Sequence, residues 1–178
     1  AFSTIANNDK VGVIFFSDKI EKFIPAKKGK THVLHIIREL LSFEPSSTGT
    51  DIAQALQYFA NAQKRHCTAF LISDFIGAGN MYQPLMIASN RHEVNAIQIY
   101  DRREAELPNI GLVKFHDAES DNDLWIDTSL ASVRSDYAQA WKENQDSLEQ
   151  LFTRTGVNHI SVRTDEDYVK ALMHLFKC

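Results

Sequence analysis

The stretch Thr68-Ala69-Phe70-Leu71-Ile72-Ser73-Asp74-Phe75 constrains this chain more than any other. Four apolar residues, Ala69 to Ile72, run straight into Ser73-Asp74, and Gly77-Ala78-Gly79 follows closely. A short continuous apolar run between turn signals predicts a strand buried on both faces, as strands of a parallel sheet are. Such sheets collect ligands just past the carboxyl ends of their strands, where a carboxylate is both fixed and exposed. Asp74 falls at that point and is the first candidate functional residue.

The rest of the chain alternates strand and helix signals around this stretch. Val11-Gly12-Val13-Ile14-Phe15-Phe16 is a second apolar run and a second expected buried strand. Ser17-Asp18 turns it into the more polar 19–24, which is expected to end at Pro25 as an antiparallel edge strand. Lys27-Lys28-Gly29-Lys30 reads as a solvated basic loop. A helix follows, with Thr31 as N-cap and Val33, Leu34, Ile37, Leu40 and Leu41 at helical spacing. His32 and His35 share a face of it, but a zinc site needs three or four ligands, so they read as ordinary histidines. A second helix begins after Gly49-Thr50-Asp51 and turns Ile52, Ala53, Leu56, Phe59 and Ala60 inward.

Beyond Asp74 the spacing predicts a helix over 81–90 and a strand over 94–100. Residues 111–116 and 124–127 flank an acidic turn and read as a β-hairpin that interrupts the alternation. A long amphipathic helix uses Val133, Tyr137, Trp141, Leu148, Leu151 and Phe152 and stops at Gly156. A last strand over 159–163 precedes a final helix that Thr164-Asp165-Glu166-Asp167 caps, with Val169, Leu172, Met173 and Phe176 facing the core. The pattern predicts an α/β fold in three layers, with a mostly parallel sheet, an antiparallel edge strand and an inserted hairpin. The expected strand order is 19–24, 11–16, a vacancy left by a missing first strand, 68–74, 94–100 and 159–163, all parallel except the first. Either the two strands beside the vacancy close directly on each other, the preferred reading, or another chain fills the slot. The charged tip of the hairpin, with Asp117, Glu119, Asp121 and Asp123, is too polar to bury and is a candidate partner-binding surface.

At 178 residues the chain is expected to form one domain, and its net charge of −4 argues against a general binder of nucleic acid or membrane surfaces. Cys67 and Cys178, with no CxxC pair, point to free thiols in a reducing compartment. No apolar run approaches the roughly 20 residues that span a bilayer, so a cytoplasmic location is expected. The opening, Ala1-Phe2-Ser3-Thr4-Ile5-Ala6 and then Asn7-Asn8, resembles the last turn of a helix, and the chain is expected to be a fragment of a longer polypeptide.

Thr50, just after Gly49, and Asp74 supply a hydroxyl and a carboxylate from loops expected at one sheet edge. Oxygen ligands of this kind suit a hard cation such as Mg²⁺. Taken singly, Thr50 also reads as a helix N-cap and Asp74 as the cap of the following turn. A rival reading is a nucleotide-binding or phosphoryl-transfer enzyme of Rossmann-like fold, from Gly77-Ala78-Gly79. The third glycine position of that fingerprint is Tyr82, and Ile76 stands where a partner acid is needed. No serine or cysteine lies in a nucleophile motif.

Asn8-Asp9-Lys10-Val11-Gly12-Val13-Ile14-Phe15-Phe16-Ser17-Asp18, Gly49-Thr50-Asp51-Ile52-Ala53-Gln54-Ala55-Leu56 and Leu71-Ile72-Ser73-Asp74-Phe75 together resemble the domain-of-unknown-function family 58. Asp101-Arg102-Arg103-Glu104-Ala105-Glu106-Leu107-Pro108 and Asp117-Ala118-Glu119 resemble its later segment. The resemblance implies a single bacterial von Willebrand factor A-like domain over 1–178, without its first central strand. It also implies a metal-ion-dependent adhesion site to which Thr50 and Asp74 belong. The Asp-x-Ser-x-Ser motif of such sites is absent here, so Mg²⁺ is expected in the intact protein and none bound to this fragment. The implied function is a non-enzymatic adaptor that works with MoxR-type AAA+ ATPases.

Overall fold

The computed structural model describes residues 9–77, 79–117 and 122–175. The helical turn expected over 1–8, Ala78, Glu119, Asp121, Phe176 and Cys178 lie outside these residues. The chain divides into two compact units, Ala1–Gln63 with Gly77–Pro84, and Lys64–Ile76 with Leu85–Cys178.

In the first unit, β1 (Val11–Phe16) pairs antiparallel with β2 (Ile20–Lys27), as the short Ser17-Asp18 turn requires. Its core is Phe15, Ile24 and Ile36, with Val11, Val13 and Phe43 packed against them. The rings of Phe15 and Phe43 stack with centroids 4.8 Å apart. Strand β2 runs through Pro25 instead of ending there. The register slips between Val11↔Lys27 and Val13↔Ile24, and a Cβ on Gly12 would lie 2.8 Å from the Ile24 carbonyl oxygen. A bulge that close needs glycine, and proline is tolerated on an edge strand at such an irregularity.

Helices α1 (Lys30–Ser42) and α2 (Ile52–Ala62) follow. Gly29, not Thr31, caps α1, because its φ of 103° suits glycine and lets the helix begin at Lys30. Asp51, not Thr50, caps α2, its carboxylate accepting the Gln54 N–H at 2.8 Å.

The second unit is built on a fully parallel sheet in the order β3 (Thr68–Ser73), β4 (Glu93–Tyr100) and β7 (Asn158–Arg163). Helix α3 (Tyr82–Ser89) lies between β3 and β4 in sequence, and α4 (Arg102–Ala105) is a short turn closed by a capping box from Asp101 and Glu104. The 25-residue α5 (Ala131–Thr155) ends at Gly156, whose φ of 67° is left-handed as expected. Helix α6 (Tyr168–Leu175) closes the described chain, with the Val169 N–H donating to Asp167.

Burial on both faces holds for β4, where Val94 to Gln98 are all buried. It does not hold for β3, where Phe70 is 43% and Ile72 53% exposed. Phe70 and Ile72 lie on one face of β3, while Leu71 on the other face is buried, so β3 is covered on one side. Among the described residues β1 has only β2 as hydrogen-bonded neighbour, and β3 only β4. Apolar content identifies a strand, but its lateral neighbours come from tertiary packing.

Residues β5 (Leu112–Asp117) and β6 (Asn122–Asp127) form an antiparallel pair of their own, outside the parallel sheet, as expected of the inserted hairpin. Thr128 fixes its base: the buried hydroxyl accepts the Ile110 N–H at 3.0 Å and donates to the Gly111 carbonyl at 2.7 Å. The architecture is a mixed α/β fold with a parallel sheet and two antiparallel pairs.

Candidate functional site

The carboxyl end of β3 is held by a relay from the two other strands of its sheet. The Ser161 hydroxyl on β7 donates to the buried Gln98 side chain on β4 at 2.8 Å. The Gln98 amide then donates to the backbone carbonyl of Asp74 at 3.2 Å. Asp74 itself is exposed, and one carboxylate oxygen accepts the Ile76 N–H at 3.1 Å, which closes a tight turn. Ser73 contributes as well, its hydroxyl accepting the Phe75 N–H at 3.1 Å.

Phe75 is the unusual residue of this turn. Its φ is 59°, a left-handed value that bulky side chains rarely adopt. The ring is buried and meets Phe152 of α5 edge-on at 5.4 Å. Burial of the ring thus offsets the backbone strain, and the adjacent carboxylate is held out to solvent on a rigid support. Gly77 and Gly79 also have positive φ, 63° and 61°, so the loop beyond Asp74 turns where glycine is the natural residue.

Thr50 is partly buried in the first unit, and among the described residues its hydroxyl takes no hydrogen-bond partner. The loop that carries it is fastened to the β1–β2 turn. Asp51 N–H donates to the Ser17 carbonyl at 2.8 Å, and a Cβ on Gly49 would lie 3.4 Å from Asp18 Cβ. Glu21 is the hub of this attachment. It accepts the Ser17 hydroxyl at 2.8 Å, the Ser46 N–H at 3.0 Å and the Ser46 hydroxyl at 2.7 Å. The Ser46 and Ser17 hydroxyls hold the Glu21 carboxyl below the ordinary glutamate range. Sequence reading missed this hub, since Glu21 and Ser46 are 25 residues apart. Its one visible signal was an acid inside a strand beside a serine-rich loop.

Thr50 thus stands in the first unit and Asp74 in the second, each placed by contacts within its own unit. Their oxygens have the chemistry a hard cation takes. Two donors alone leave most positions of an octahedral ion unfilled, and no group of three His, Cys, Asp or Glu able to hold a metal occurs among the described residues. The paired histidines serve the fold: His32 Nε2 donates to the Val11 carbonyl at 2.8 Å, and His35 lies 3.7 Å from Glu39, which also pairs with Lys22. Burial pushes the Cys67 thiol up, away from thiolate chemistry, although His92 Nδ1 lies 3.7 Å from its sulfur.

Of the acidic hairpin residues, Asp123 is exposed and pairs with Lys114 at 2.6 Å. Asp117 ends β5, opposite Asn122, while Glu119 and Asp121 lie outside the described residues. Among the described residues no helix is long and apolar enough to cross a membrane.

Fold and site together define a mixed α/β protein whose second unit displays an exposed, buttressed carboxylate at the end of a parallel strand. The chain belongs to the family described as protein of unknown function DUF58, whose model matches residues 1–147. Uncharacterized proteins of Mycobacterium bovis and Mycobacterium tuberculosis are 30% identical over 172 residues, 94% of this chain and 53% of theirs. The chain therefore spans about half the length of these relatives. A Mycobacterium avium protein is 30% identical over 158 residues, 86% of this chain and 92% of its own. Two solved structures share the fold. The conserved hypothetical protein BatB of Bacteroides thetaiotaomicron matches 99% of this chain and 85% of its own, with 16% identity and a TM-score of 0.53. An aerotolerance-related membrane protein of Bacteroides fragilis matches 96% of this chain and 81% of its own, with 18% identity and a TM-score of 0.55.

Proposed function

We propose that this chain is a non-enzymatic protein-interaction module of von Willebrand factor A-like type, a cytoplasmic adaptor for a MoxR-type AAA+ ATPase. The observation that carries the reading is the display of Asp74. Its carboxylate is exposed at the ligand-collecting end of a parallel sheet, and its backbone is fixed by Gln98 and by the buried, strained Phe75. A rigid acid with solvent access is suited to hold a cation that a partner's own acid completes. Membership of the family supports the same reading, which the resemblance of the Thr50 and Asp74 segments first raised.

Asp74 and Thr50 are the residues that would hold Mg²⁺. Once bound, the ion supplies a positive bridge to a carboxylate of the partner. Because the two donors are too few, we assign the remaining ligands to an Asp-x-Ser-x-Ser segment in a longer form of the protein. Calorimetry separates the cases. Mg²⁺ binds to the form that carries that segment, Asp74→Ala weakens it there, and the 178-residue chain alone shows no tight binding. Tight binding by the 178-residue chain, or none by the longer form, contradicts the metal assignment. The rival enzyme reading has less behind it, since Tyr82 opens α3 where a small residue is needed and the Cys67 thiol is pushed up.

A further inference from the structure

We propose that the outward face of the β5–β6 hairpin, centred on Trp125 and Leu112, docks a basic protein surface that carries an apolar cleft. This rests on the reading of the chain as an interaction module, and not on whether Thr50 and Asp74 take a cation. Residues paired directly across two antiparallel strands share a face, so Leu112 lies with Asp127, and Trp125 with Lys114. On that face Leu112 is 64% and Trp125 62% exposed. Lys114 reaches Asp123 at 2.6 Å beside the indole.

A two-stranded hairpin gains little stability alone, and exposed apolar side chains on it add nothing to the protein's own core. Tryptophan is the residue most enriched among those that carry binding energy, and it anchors best in an apolar cleft ringed by polar groups. Charge identifies the other half of the contact. Residues 111–127 hold five of the chain's 23 acids and one of its 19 lysines and arginines, so the other 161 residues carry 18 of each. The whole net charge of −4 is therefore concentrated in this hairpin. On the docking face itself Asp123 and Asp127 stand against Lys114 alone. A surface of that net negative sign repels a second hairpin and an anionic lipid surface, and it steers toward a basic protein.

Calorimetric titration of the 178-residue chain with three synthetic peptides of equal length tests this. One alternates lysine and leucine, one has the same number of lysines without leucine, and one alternates glutamate and leucine. At about 50 mM salt, where screening is modest, the lysine–leucine peptide binds roughly tenfold tighter than the all-lysine one. The glutamate–leucine peptide does not bind. Trp125→Ala weakens the lysine–leucine peptide roughly tenfold, as loss of an anchor does. Lys114→Gln tightens it about twofold by removing the one positive charge, a gain that misfolding cannot imitate. Equal binding of the lysine–leucine and glutamate–leucine peptides overturns the proposal, as does no binding at all, or undiminished binding by a folded Trp125→Ala chain. Trp125-dependent binding to vesicles containing phosphatidylserine overturns it in favour of a membrane surface. A dimer in sedimentation that Trp125→Ala abolishes overturns it in favour of self-association. None of these failures touches the Asp74 assignment, which is tested by Mg²⁺ binding.

Discussion

Phe75 and Asp74 show how a single strained residue serves an exposed one. The left-handed φ of Phe75 persists because its ring is buried against Phe152, so the two features stand or fall together. Phe75→Ala removes the ring and is expected to cost about 3–5 kcal/mol in urea unfolding. Asp74 was legible in the sequence, as an acid ending an apolar run. The backbone of Phe75 was not, because nothing local distinguishes a left-handed phenylalanine from an extended one. Glu21 was illegible for a different reason, since its serine partners come from both its own turn and a loop 25 residues away. Its folded pKa lies below its unfolded one, so the stability it contributes is present above the unfolded value and is lost as pH falls through the folded value. Asp101 and Asp127 are lowered by hydrogen bonds from Arg103 and Ser129 and act in the same direction. The protein should therefore lose stability as pH falls below about 4, and Glu21→Gln should lose less over that range than the parent. Equal acid slopes for the two chains in pH-dependent urea melts count against the Glu21 hub.

At the scale of elements, periodicity located the strands and helices well and their ends less well. Helix α2 is an example: Gly49-Thr50-Asp51 announced its start, but the cap is Asp51 because its carboxylate reaches the Gln54 N–H. Asp51→Ala should cost about 1 kcal/mol. Thr50→Val should change stability by less than about 0.5 kcal/mol, since the hydroxyl takes no partner among the described residues. Thermal melts of the two variants distinguish a capping residue from one kept for binding. The apolar runs at β1 and β3 looked alike in sequence and were both expected to be central, yet among the described residues it is the more polar β4 that has neighbours on both sides. Whether a strand is central is a property of the sheet, and a single strand's composition does not carry it. The hairpin was legible as an interruption and as an acidic tip, while its exposed Trp125 face depends on pairing register. Thr128→Val leaves the Ile110 N–H and weakens the hold on Gly111, so it should destabilise the base of the hairpin by about 1–3 kcal/mol.

For the molecule as a whole, the order of strands and helices in the sequence was enough to give the α/β class and the parallel sheet. Thr50 and Asp74 were singled out from residue types, because a hydroxyl after glycine and an acid after an apolar strand are local patterns. What supports those residues was not legible, because Gln98, Ser161 and Phe152 are brought to the Asp74 turn by the fold alone. The central claim is that Asp74 serves partner binding through a cation. Its most direct test is the affinity of a purified MoxR-type ATPase for a form of this protein extended by an Asp-x-Ser-x-Ser segment. Affinity is measured by surface plasmon resonance without nucleotide, in Mg²⁺ and in chelator, with the parent and with Asp74→Ala. The account predicts binding in Mg²⁺ that falls at least about tenfold in chelator and equally with Asp74→Ala. Binding of the same strength under all of these conditions contradicts it.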